Sequence, residues 1–174
     1  MTTTDFTTTI QVDQTATEAF NAINNVRGWW SEEIEGSTDK LNDEFNYHFE
    51  DIHRCKIKIA ALVPGKRVEW LVMDNYFKPG IFNEASPALH TDTSEWTGTK
   101  IIFEIEEKDN KTQIRFTHLG LVPEFECFDA CSNGWSHYAG KSLLSLITTG
   151  KGQPNSTGKP MTTNEEKLHT ARKA

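Results

Sequence analysis

The chain has 174 residues, a length suited to one domain with one core, and sets 18 Lys/Arg against 25 Asp/Glu for a net charge of −7. Only 36% of the residues are hydrophobic, yet 10 Phe, 5 Trp and 3 Tyr make it rich in aromatics. The acidic balance argues against nucleic acid, whose phosphates need a basic footprint; no stretch reaches the ~18 apolar residues of a membrane span; and Met1–Phe6 lacks the basic and apolar regions of a secretory signal.

Phe6–Val12 alternates, with Thr, Ile and Val favouring a strand. Thr15-Ala16-Thr17-Glu18 is a capping box. Ala16, Ala19, Phe20, Ile23 and Val26 follow at helical spacing, which predicts a helix of about three turns ending near Gly28, with Trp29-Trp30 directly after it. Residues 31–51 hold eight acids (Glu32, Glu33, Glu35, Asp39, Asp43, Glu44, Glu50, Asp51) against Lys40. They read as a solvated connection or, more specifically, as a docking edge for a basic partner.

Three alternating stretches come next: Phe45/Tyr47/Phe49, Cys55/Ile57/Ile59/Ala61 and Val68/Trp70/Val72. The last two are joined by Pro64-Gly65, the residues of a type II turn. Short turns make this an antiparallel meander. Residues 74–94 lose the pattern and read as a long loop, a length that often marks a functional lid. Ile101/Phe103/Ile105 and Ile114/Phe116/His118 predict two more strands around an Asp109-Asn110 turn.

A final helix is expected from Pro123, with Phe128, Cys131, Trp135, Tyr138, Ser142 and Leu146 on one face and Gly150 just past its end. Gly134 and Gly140 lie inside it, where the missing side chain would let a sheet or ligand approach. Residues 1–150 thus form an α+β domain. Residues 151–174 read as a polar tail of net +3 with a short helix over Glu165–Arg172, which leaves −10 for the domain.

Chemical motifs are sparse. Gly140-Lys141-Ser142 resembles the end of a phosphate loop, but the upstream Gly134 is misplaced and the tripeptide sits within a helix. Cys127 and Cys131 are one helical turn apart, yet no second pair completes a metal site, and small buried hydrophobes are their expected role. With Cys55 they make an odd number of cysteines, which reads as free thiols in a reducing cytoplasm. No nucleophile elbow is present. His118, near Glu124 or Tyr138, is a candidate proton-transfer group if the geometry allows. The aromatics fall mostly on inward faces, where they fill a core or line an apolar pocket. The candidate ligand-binding set is Trp30, Phe45, Tyr47, Trp70, Phe103, Phe116, His118, Cys131, Trp135 and Tyr138.

The order Phe6–Val12, Thr15–Phe20, Trp29-Trp30 resembles the START-like helix-grip superfamily. Glu95-Trp96-Thr97-Gly98-Thr99, Phe116-Thr117-His118-Leu119-Gly120-Leu121 and Asn133-Gly134-Trp135 are similar to the branch named for the C-terminal domain of the activator of Hsp90 ATPase. Over residues 5–152 the resemblance implies an antiparallel sheet of about seven strands gripping a long C-terminal helix, with a tunnel between. Six strands are read above, so a seventh belongs in 30–42 or 74–97. Members of the superfamily bind lipids, sterols, polyketides or plant hormones, and some catalyse cyclisation.

The leading expectation is a cytoplasmic binding protein that sequesters a small, largely apolar ligand between sheet and helix behind the 74–97 loop. It requires a cavity above roughly 300 Å³ beside Trp135. One alternative is a cochaperone-like module that meets a chaperone or other protein through the 31–51 edge. The other is an enzyme acting on a bound aromatic or polyketide-like substrate, which requires a polar pair of shifted pKa in the pocket. Neither a catalytic residue, a metal nor a cofactor is assigned.

Overall fold

The computed structural model describes residues 5–78, 95–125 and 127–173. Strand β1 (Phe6–Val12) leads to α1 (Ala16–Asn24) and the short α2 (Val26–Trp29). Strands β2 (Glu35–Gly36), β3 (Glu44–Phe49), β4 (His53–Val63), β5 (Arg67–Phe77), β6 (Lys100–Lys108) and β7 (Lys111–Leu119) follow. The helical run Phe128–Thr149 comprises α3 (Phe128–His137), a π-helical segment (Tyr138–Ser142) and α4 (Leu143–Thr149), and α5 (Thr163–Lys173) closes the chain. The seven strands form one antiparallel sheet in the order β1-β7-β6-β5-β4-β3-β2.

The local signals account for much of this. Glu18 N donates to Thr15 Oγ1 at 3.1 Å, and Thr15 N donates to Glu18 Oε2 at 3.0 Å, so the capping box is complete. Gly65 takes φ +70° between Val63 and Lys66, whose N–H bonds the Val63 carbonyl at 2.9 Å, as a type II turn requires. Asp109 and Asn110 both have positive φ, which gives the primed hairpin turn that matches strand twist. Two register shifts between β4 and β5, near Lys56/Ile57 and Ile59/Ala61, bend the sheet around the helix. The seventh strand is β2, inside the acidic connection.

Several boundaries differ from expectation. The first helix stops at Asn24 because Asn25 leaves helical geometry (φ −85°, ψ 67°), and α2 restarts the turn that places the two tryptophans. Strand β5 continues to Phe77, so the patternless stretch begins later than residue 74; residues 79–94, the body of the expected lid, lie outside the described residues. Helix α3 begins at Phe128, since Pro123 and Glu124 form a turn. The π segment inserts one residue into the helix. Beyond it the buried stripe moves from the expected Leu146 to Leu143 and Ile147.

Residues 151–173, read as a tail, pack back onto the domain. Gly152 crosses α2 so closely that a Cβ there would lie 2.1 Å from the Gly28 carbonyl oxygen. Asn155 is fully buried, with its N–H on the Trp30 carbonyl (3.0 Å) and its carbonyl accepting from Glu32 N (3.0 Å). The acidic run supplies the rest of the dock. Glu33 accepts from Thr157 N and Thr157 Oγ1, both at 2.8 Å, and Lys159 pairs with Glu32. Glu50 accepts from Gly158 N at 3.0 Å and meets His169. The basic segment that these acids hold is the chain's own.

Candidate functional site

Between the inner face of β3–β5 and the helix α3 lies a cavity of about 70 Å³, covered by the first two turns of α5. This is well below the roughly 300 Å³ required of a small-molecule pocket beside Trp135, so among the described residues this cavity is not the expected ready-made tunnel; Leu168 and Glu165 of α5 reach into the space instead. Trp30, Phe49, Phe77, Trp96 and Trp135 give apolar walls. Tyr47, His53, Tyr138, Asn164 and Glu165 bring the polar groups.

Five of the ten candidate residues line this cavity: Trp30, Tyr47, Cys131, Trp135 and Tyr138. Trp30, placed by the end of α2, stacks on Tyr47 of β3 with centroids 4.1 Å apart and planes 12° apart. The other five stand outside it. Phe45, Trp70, Phe103 and Phe116 are fully buried beneath the wall, where Trp70 packs between Trp29, Phe45 and Phe103. Their inward alternation is a core signal, and α2 covers them with Trp29 before the cavity begins.

The fifth is His118, also fully buried. Trp135 Nε1 donates to its Nδ1 at 3.0 Å, so the ring proton sits on Nε2, which donates to Thr99 Oγ1 at 2.8 Å. The Thr99 hydroxyl in turn donates to the Trp96 carbonyl. Burial, with His53 nearby, lowers the His118 pKa to about 3. Both ring nitrogens are therefore engaged and the imidazole is neutral, which suits positioning rather than proton transfer. The three motifs, Glu95–Thr99, Phe116–Leu121 and Asn133–Trp135, converge on this chain of bonds, which fixes Trp96 and Trp135 as adjacent walls with centroids 5.7 Å apart.

The candidate ligand-binding set omitted His53, Trp96 and everything after residue 150. His53 continues the inward alternation of Cys55 and Ile57, and Trp96 stands in the first motif, so both carried a signal. His53 Nε2 bonds Asn75 Oδ1 at 2.8 Å, the ring stacks on Phe77 at 4.2 Å, and burial lowers its pKa to about 4. Asn155 and Glu165 carried none, since their role depends on how the last segment folds back.

At the polar end, Asn155 Nδ2 donates to Tyr47 Oη (2.9 Å) and Tyr138 Oη (2.7 Å). Tyr138 Oη donates to the Glu165 carboxylate, with both oxygens at 2.7 Å. Burial pushes both tyrosine hydroxyls well above their ordinary pKa, and Glu165 adds to this. Burial also raises the Glu165 carboxyl, against the opposing bond from Tyr138. Cys55, Cys127 and Cys131 are buried free thiols, and burial raises the pKa of Cys55 and Cys127. Among the described residues no cluster of three or more His, Cys, Asp or Glu could hold a metal, and no helix is long and apolar enough to cross a membrane.

A curved antiparallel sheet closed on a long C-terminal helix, with the cavity between them, is the START-like helix-grip fold. The solved structures agree. The Aha1 dimer from Colwellia psychrerythraea is similar at TM-score 0.65 and 22% identity, over 86% of this chain and 99% of that one. Mll3558 from Rhizobium loti is similar at TM-score 0.59 and 13% identity, over 84% and 97%. CalU16 from Micromonospora echinospora is similar at TM-score 0.55 and 11% identity, over 95% and 83%. No family model and no curated protein matches the sequence.

Proposed function

We propose that this protein binds a small, largely apolar ligand bearing one polar group, in the cavity between the sheet and the Phe128–Thr149 helix. The observation that carries this reading is the division of the cavity. Its body is aromatic, while the hydroxyls of Tyr47 and Tyr138 meet at one end, which is how ligand sites combine affinity with orientation. Gly134 supports it. An interior helix glycine costs about 1 kcal/mol relative to alanine, and a Cβ on this one, at the cavity wall, would meet nothing within 4 Å. The present volume of about 70 Å³ suits an occupant of a few heavy atoms, and a larger one requires the wall formed by α5 to yield.

The alternatives find less support. A module docking through the acidic edge would have to free Glu32, Glu33 and Glu50 from the chain's own last segment. Catalysis through His118 would need a free ring nitrogen, and both are bonded. The pair Tyr138–Glu165 does have shifted pKa values, but the tyrosine moves away from ionisation. The three buried thiols favour a reducing compartment, and we place the protein in the cytoplasm. Native mass spectrometry of protein purified from its own host tests the reading: a bound small molecule lost on denaturation supports it. A bare mass from protein that also fails to take up added naphthalene derivatives contradicts it.

A further inference from the structure

The polar end of the cavity holds more donor capacity than a tyrosine pair needs. Because Asn155 Nδ2 donates to both tyrosine oxygens, each hydroxyl keeps its own proton for another acceptor. Tyr138 gives its proton to Glu165, and Asn155 Nδ2 also reaches Glu165 Oε2 at 3.4 Å. For the Tyr47 hydroxyl proton no acceptor stands within hydrogen-bond distance among the described residues. Tyr138 thus donates directly to a carboxylate that the chain itself supplies, while the Asn155 amide, its two N–H groups on the tyrosine oxygens, stands 3.4 Å from that carboxylate and ties the Tyr47 hydroxyl to the same end of the cavity. One helical turn further along, Leu168 of the same helix enters the aromatic part of the cavity. Helix α5 therefore presents a carboxylate with an apolar group beside it.

Helix α5 meets the domain through side chains, Glu165 on Tyr138, Asn164 on Asn133 and His169 on Glu50, in contrast to the segment before it, which is also held by its backbone. Residues 151–159 are pinned by Gly152 against Gly28, by Gln153 N on Ser142 Oγ at 2.6 Å and by the buried Asn155. Helix α5 has eleven residues, of which only Leu168 and Ala171 are apolar. A helix of that length is marginal by itself. Its principal polar contact costs desolvation of a carboxylate that pairs with no Lys or Arg among the described residues.

We infer that Tyr138, Asn155 and Tyr47 form a carboxylate-binding subsite, occupied in this structure by Glu165 as a built-in surrogate, and that the ligand is an apolar carboxylic acid that displaces α5. The carboxylate takes the place of Glu165, and the apolar body takes that of Leu168 against Trp30 and Trp135. The inference rests on the cavity being the binding site. It adds the ligand's class and the element that must move. While α5 is seated, the apparent affinity is reduced by the fraction of molecules in which it is lifted.

The test uses the full chain with Glu165→Ala and Leu168→Ala together, which removes the surrogate and leaves every strand and α3 unchanged. Binding of 1-naphthylacetate is followed by calorimetry, with 1-methylnaphthalene as the probe lacking the carboxylate. The variant is expected to bind 1-naphthylacetate about tenfold or more tightly than the parent chain, with a smaller gain for 1-methylnaphthalene. Adding Tyr138→Phe is expected to abolish the difference between the two probes. Equal affinity of parent and variant overturns the inference while the cavity reading stands, and so does an equal gain for both probes. Binding of neither probe by either chain overturns both. Hydrogen exchange on the parent chain gives a second readout that needs no variant: saturating 1-naphthylacetate is expected to speed exchange of the α5 amides, and unchanged protection in the bound state overturns the displacement.

Discussion

The Trp135 indole and the His118 imidazole are joined by a 3.0 Å bond from Nε1 to Nδ1, and this bond decides the state of both rings. It fixes the histidine as the neutral Nε2–H tautomer and holds the tryptophan flat against the cavity. Trp135→Phe removes the donor and leaves a buried Nδ1 without a partner. The expected cost is about 2 kcal/mol or more, from the unsatisfied acceptor and the lost indole volume. Urea denaturation checks this; a loss below about 0.5 kcal/mol would show that the bond does not position the wall.

His53 and His118 are buried neutral with pKa values lowered to about 4 and about 3, and both take up a proton near 6.5 when the chain unfolds. Their folded values lie below their unfolded ones. The stability they contribute is therefore complete above pH 6.5 and is lost as pH falls towards 4 and 3. Between pH 6.5 and 5 the unfolding free energy should drop with a slope approaching two protons. Denaturation midpoints measured across that window test the sign. His118→Asn should reduce the slope, and a flat profile in the unsubstituted protein would contradict burial of the two rings.

Glu33 holds the returning segment at its turn. The Thr157 amide, chiefly, keeps its carboxyl below the usual carboxylate range, with further help from the Thr157 hydroxyl and His48. A depressed folded pKa means that this contact is present above the unfolded value of about 4.5 and is lost as pH falls through the folded one. Carboxyl NMR titration should place Glu33 below the ordinary glutamate value of about 4.5. Thr157→Val, which removes the hydroxyl bond and keeps the amide, should raise it part of the way. A titration that ignores the substitution would mean that the segment does not dock there in solution.

Gly134 separates stability from binding. Alanine at this helix-interior position should raise stability by roughly 0.5–1 kcal/mol, since nothing obstructs the added methyl group. The same group takes space from the cavity wall, so affinity for 1-naphthylacetate should fall. A variant that is more stable and binds less well is the expected pair of results, measured by thermal unfolding and calorimetry. Unchanged affinity would place the binding surface elsewhere.

Much of the fold was legible in short-range patterns. The period-2 runs gave six strands, and Thr15–Glu18, Pro64-Gly65 and Asp109-Asn110 marked their own turns and cap. The two-residue β2 left no alternation to read. The π segment could not be read either, because Tyr138–Ser142 has the composition of an ordinary helix turn; it moved the buried face from Leu146 to Leu143 and Ile147. At the site, inward alternation could not tell a wall from the core beneath it, so Phe45 and Trp70 ranked with Tyr47. The charges of 151–174 suggested a tail, and only the register of Thr157, Gly158 and Lys159 on Glu33, Glu50 and Glu32 made it the cover of the cavity.

The central claim is that the cavity lined by Trp30 and Trp135 receives the ligand. An NMR titration of the protein with 1-naphthylacetate, observing the indole N–H signals of all five tryptophans, tests it most directly. Saturable shifts of Trp30, Trp96 and Trp135, with the deeper Trp29 and Trp70 moving least, are predicted. Shifts that do not saturate, or that leave Trp30 and Trp135 in place while the probe binds, would contradict the claim.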